Sequence, residues 1–140
     1  MYKKVMVAID DSEKSWNALQ EAGQIAAAYG AKLSIVHAVQ VSDHATSPAR
    51  QTAARLLEEA KSRSSRVEAP PPEIRLLEAD GELGLAGISE AIAGAVVEWE
   101  ADLLVVGSKG RRGLERLVIG SVAEQLISTI GISIFLVRLH

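Results

Sequence analysis

The chain has 140 residues, 48% hydrophobic and 24% charged, with no cysteine and a net charge of −3. This length and balance predict one domain (residues 1–140) with a core of its own, and the absence of thiols excludes disulfide frameworks and thiolate metal sites. The weak negative charge and only two Trp, two Tyr and one Phe argue against nucleic-acid binding, and no apolar run approaches the ~20 residues of a membrane span.

The first residues, Met1 to Val7, carry charge without a long apolar stretch and lead straight into a strand, so no signal peptide is expected. Lys4 to Ile9 is apolar and β-branched and reads as the first strand. Ser12 to Tyr29 has Ala18, Leu19, Ala22, Ile25, Ala26 and Tyr29 at helical spacing, and Gly30 suits a helix C-cap. Lys32 to Val39 reads as the second strand and Ser42 to Pro48 as a loop. A charged helix is expected from Ala49 to about Val67, with Ala54, Leu57 and Ala60 inward, ended by Pro70-Pro71-Pro72. Glu73 to Ala79 is the third strand. A third helix is expected over Leu83 to Trp99, with Leu85, Ile88, Ile92, Val96 and Trp99 on one face; Gly84, Gly87 and Gly94 each weaken it by ~1 kcal/mol relative to alanine. Asp102 to Val106 is the fourth strand, Ser121 to Ile130 the fourth helix and Ser133 to Val137 the fifth strand. Five strands alternating with four helices predict an α/β fold, a Rossmann-like parallel sheet with helices on both faces and right-handed crossovers.

The most informative segment joins the fourth strand to the fourth helix. Gly107-Ser108-Lys109-Gly110 is followed, after nine residues, by Gly120-Ser121, and Ser121-Val122-Ala123-Glu124 has the capping-box pattern S-x-x-E. A strand, a glycine loop and a helix start form an arrangement suited to phosphate. Glycines let backbone N–H groups approach an anion, and the helix N-terminus supplies unpaired donors and partial positive charge. Lys109, Arg111, Arg112 and Arg116 supply either phosphate contacts or a solvated basic face.

Gly107, Gly110, Gly120 and Ser121 match the G-x2-G-x9-G-[ST] signature, and the chain resembles the universal stress protein family over most of its length. Lys3 to Glu13 is similar to that family's opening strand and D-G-S turn, Val36-His37-Ala38 to the end of its second strand, and Ala101 to Gly107 to its A-D-L-I-V-x-G strand. Asp11 departs from the pattern, which has glycine there and so less negative charge near a polyphosphate. The resemblance implies the strand order 3-2-1-4-5, with ligands bound outside the carboxyl ends of strands 1 and 4. It implies an adenine-nucleotide pocket formed by Ala8, Ile9, Asp10 and the backbone of Ala38, with phosphates near Val106, Gly107, Gly110, Arg111, Arg112, Gly120, Ser121 and Val122. Asp10 would hydrogen-bond adenine or ribose; otherwise it is a helix N-cap.

The function so implied is binding of ATP or AMP by a cytoplasmic regulatory stress-response protein. No clear general base stands beside the loop, so turnover is slow if it occurs. No cluster suggests a metal site built by the protein, and magnesium would be held through the nucleotide phosphates. His37 reads as a satisfied structural histidine, and Trp16 and Trp99 as packing residues. A homodimer paired through the apolar edge strand Ile134-Phe135-Leu136-Val137 is expected. The alternatives are a nucleotide-free member of the same fold acting through protein contacts, or a phospho-accepting receiver using Asp10, Asp11 and Asp80.

Overall fold

The computed structural model describes residues 1–10, 13–41, 47–64, 70–107 and 121–138. Strands and helices alternate as β1 (Lys4–Ala8), α1 (Glu13–Tyr29), β2 (Lys32–Val41), α2 (Ser47–Ser64), β3 (Glu73–Asp80), a 3-10 turn (Gly81–Leu83), α3 (Leu85–Trp99), β4 (Leu103–Gly107), α4 (Ser121–Thr129) and β5 (Ser133–Val137). The five strands form one parallel sheet in the order β3-β2-β1-β4-β5.

Alternation along each central strand builds two cores. Val5, Val7, Ile35 and Val105 point to one face, where α1 and α2 cover them with Ala18, Leu19, Ala22, Leu57 and Ala60. Met6, Val36, Leu104 and Val106 point to the other, under Ile92, Ala95 and Val96 of α3 and Ala123 and Leu126 of α4. Burial on both faces explains why these strands read as continuous apolar runs instead of alternating ones. Met6, Ile35, Leu104 and Leu126 are fully buried, each contributing roughly 1.5–3 kcal/mol of transfer free energy.

Several local expectations change. In α2 the inward positions are Ala53, Leu57 and Ala60, whereas Ala54 is exposed. The two alanines are chemically identical, so only the helix's rotation against β2 and β3 separates them. The third helix starts two residues later than its apolar pattern suggests. Asp80 Oδ1 accepts from the Glu82 N–H (2.9 Å) to open the 3-10 turn, and Gly84, at φ +60°, ends it. Leu85 is consequently 44% exposed instead of inward. Gly87 is buried where a Cβ would lie 2.5 Å from the Asp80 carbonyl oxygen, so this glycine is required by close approach. β2 runs two residues beyond its expected end. Asp102 precedes β4: its carboxylate accepts from the N–H groups of Lys3 (2.8 Å) and Lys4 (3.2 Å), tying the start of β1 to the start of β4.

Candidate functional site

The carboxyl ends of β1 and β4 lie side by side at the centre of the sheet, where successive connections leave in opposite directions. Ala8 pairs with Val106 on one side and with Val36 on the other. This is the topological switch point at which open parallel sheets bind ligands. Ala8, Ala38 and Val106, with Val122 of α4, pack on the α3/α4 face. The expected pocket residues from three strands therefore share one side of the sheet. Gly107 ends β4, opposite Val137 of β5.

Ile9 has a different environment. Its side chain belongs to the α1/α2 core. Its N–H donates to the Val36 carbonyl at 2.9 Å, and its carbonyl accepts from His37 Nδ1 at 2.7 Å. The backbone leaving β1 is thus held from β2, and His37 has the structural partner expected of it. The contact places the proton on Nδ1, because a carbonyl can only accept.

Asp10 is exposed at the mouth of this region. Its N–H donates to Ser15 Oγ (2.6 Å), and that hydroxyl donates in turn to Asp10 Oδ1 (2.8 Å). Ser15 is only 4% exposed. Sequence reasoning missed it, although a signal was present: Ser15 lies one turn before Ala18, Leu19, Ala22 and Ala26 on the same inward face, as its one polar member among the described side chains. On the opposite side, α4 begins at Ser121 itself. Ser121 and Val122 are the first described residues of that helix.

Gly110, Arg111, Arg112 and Gly120 lie outside the described residues, as do Lys109, Arg116 and Asp11. A groove of about 690 Å³ runs between α3 and α4 past Ser89, Glu90, Ser121 and Glu124, and another of about 440 Å³ lies between β3 and α3. Neither is lined by Ala8, Asp10, Ala38 or Val106. Among the described residues no group of three His, Asp or Glu side chains is placed to hold a metal, and no helix is long and apolar enough to cross a membrane. Trp16 packs on the α1/α2 core beneath Arg63, and Trp99 on the α3/α4 core beside Lys4.

The model of the universal stress protein family matches residues 1–138. A universal stress protein of Methanocaldococcus jannaschii is 30% identical over 146 residues, covering 99% of this chain and 83% of its own length. One from Thermus aquaticus is 30% identical over 140 residues, covering 99% of this chain and all of its own. Among solved structures, a universal stress protein in complex with cAMP matches with a TM-score of 0.77 at 27% identity, over 97% of both chains. An Archaeoglobus fulgidus universal stress protein in complex with dAMP matches at 0.77 and 23% identity, over 97% of this chain and 98% of its own, a likeness of fold.

Proposed function

The chain belongs to the universal stress protein family, and on that premise we propose that it binds an adenine nucleotide, AMP or ATP, in the crevice between β1 and β4. The observation that carries this reading is the register pairing Ala8 with Val106. It sets two strand ends side by side, with Asp10 leading out of one and the Gly107–Ser121 signature out of the other. A solved relative at 27% identity, described as a complex with cAMP, supports the same ligand class. In this reading Ala8 and Ala38 line the adenine side, and Asp10 accepts from adenine or ribose. The phosphates lie against the glycine loop and the first N–H groups of α4, where the helix dipole favours an anion. Arg111 and Arg112 add charge, and magnesium is carried on the phosphates.

The chain acts as a single binding domain in the cytoplasm, with regulation and not turnover as its output, and it pairs into a homodimer through β5. Isothermal titration with AMP, ATP and cAMP tests the ligand. Saturable binding with one site per chain is the expected result. No heat and no thermal shift at millimolar nucleotide would overturn the reading in favour of a nucleotide-free member acting through protein contacts. Mass spectrometry of protein purified without added ligand identifies which nucleotide it carries.

A further inference from the structure

We propose that Ser15 is the positioning residue for Asp10: a buried hydroxyl that sets the carboxylate in its nucleotide-binding orientation before the nucleotide arrives. The inference rests on the adenine-nucleotide reading above and adds a residue outside the expected pocket.

A serine hydroxyl has one proton to donate. Ser15 donates it to Asp10 Oδ1 at 2.8 Å and accepts from the N–H of the same residue at 2.6 Å. Its one proton is thus committed to Asp10, and Ser15 is 4% exposed in the first turns of α1, so any influence on a ligand passes through that carboxylate. The ring closed by the two bonds holds both the backbone and the side chain of Asp10. The preceding residue is held equally firmly from the other direction, by Val36 and His37 on Ile9. An exposed aspartate at a strand end ordinarily loses rotamer freedom when it binds. Here that loss is incurred on folding, so less of the binding free energy is spent on ordering.

The bland alternative is that the pair only locks the start of α1. The two roles differ in what a ligand detects. If Ser15 acts through Asp10, removing the hydroxyl weakens binding only while the carboxylate is present. AMP affinity is measured by titration calorimetry for the parent, Ser15→Ala, Asp10→Ala and the double variant, with circular dichroism melts of each without ligand. Ser15→Ala is expected to weaken AMP about tenfold, the scale of one net hydrogen bond to a charged group. In the Asp10→Ala background the same change is expected to alter affinity by less than about twofold, since no carboxylate is left to orient. Ser15→Thr, which restores the hydroxyl, is expected to return affinity to near the parent's.

An unchanged affinity in folded Ser15→Ala overturns the inference. So does an equal loss in both backgrounds, or a folded Ser15→Thr that does not recover. A parent that binds no nucleotide fails differently: it removes the functional reading itself, and the inference with it.

Discussion

The two edges of the sheet are treated in opposite ways. β3 carries Glu73, Arg75 and Glu78, and each is tied to a helix that flanks the edge. Glu73 accepts from Trp99 Nε1 (3.1 Å) and Arg75 pairs with Glu98 of α3 (2.9 Å) on one face. Glu78 pairs with Arg50 of α2 (2.7 Å) on the other. β5, Ser-Ile-Phe-Leu-Val, has no charged residue and no ion pair among the described residues, and its Phe135 is 41% exposed. The ion pairs on β3 are themselves exposed, so each contributes at most about 1 kcal/mol. Their larger consequence is exclusion. Charge along an edge discourages a second strand from adding, whereas a bare apolar edge is a template for one. Among the described residues, the difference makes β5 the edge on which the proposed pairing would fall.

Phe135→Asp is expected to have the largest effect. In a β5-paired dimer the two-fold axis buries the new carboxylate twice, at a cost of at least about 3 kcal/mol. Association should fall by roughly a hundredfold or more. Sedimentation at micromolar concentration is expected to show a dimer for the parent and a monomer for the variant. A parent that sediments as a monomer, or a dimer indifferent to the change, excludes the interface.

Gly87→Ala probes the guarded side. The added Cβ would meet the Asp80 carbonyl at 2.5 Å, and that oxygen belongs to backbone at the end of β3, which cannot swing away. α3 must move instead, carrying Glu98 and Trp99 from their contacts with the edge. The expected cost is about 1–3 kcal/mol, read as a lower urea midpoint at unchanged slope. A variant as stable as the parent would mean that α3 sits loosely on β3.

The smallest stability effect belongs to the ion pair itself. A double-mutant cycle on Arg75→Ala and Glu98→Ala should give a coupling below about 1 kcal/mol that shrinks further at high salt. By contrast, Arg75→Val together with Glu78→Val should raise self-association at nearly unchanged stability. Should that double variant keep the parent's oligomeric state, the charges are not what guards the edge.

Much of this architecture is legible in the residues. The runs Val5 to Val7 and Leu103 to Val106 have the unbroken apolar character of strands covered on both faces, and all five expected strands are present, each within two residues of its expected ends. Gly30 has the positive φ (+63°) expected of a helix C-cap. The spacing Gly107, Gly110, Gly120, Ser121 marks the connection between β4 and α4 as a candidate phosphate loop before any strand is paired. What escapes such reading is orientation. Ala53 and Ala54 offer no chemical difference to choose between, and Leu85 is apolar yet exposed because Asp80 and Gly84 insert a 3-10 turn ahead of α3.

Periodicity and spacing by themselves thus determined the order and kind of the elements and the two-faced burial of the central strands, while the residues proposed for the pocket came from the resemblance to the universal stress protein family. The elements and their burial follow from local propensity and from the free energy of removing apolar side chains from water, both of which are properties of nearby residues. Tertiary structure alone decided that Asp102 would hold the start of β1, that Gly87 would have to remain glycine beside Asp80, and that the Ser15 hydroxyl would close on Asp10. Each of these depends on a contact of less than about 3 Å between groups on different elements. Such distances are set by how helices seat on the sheet; the polar Ser15 in the inward stripe of α1 marks the need for a partner without saying which one it is.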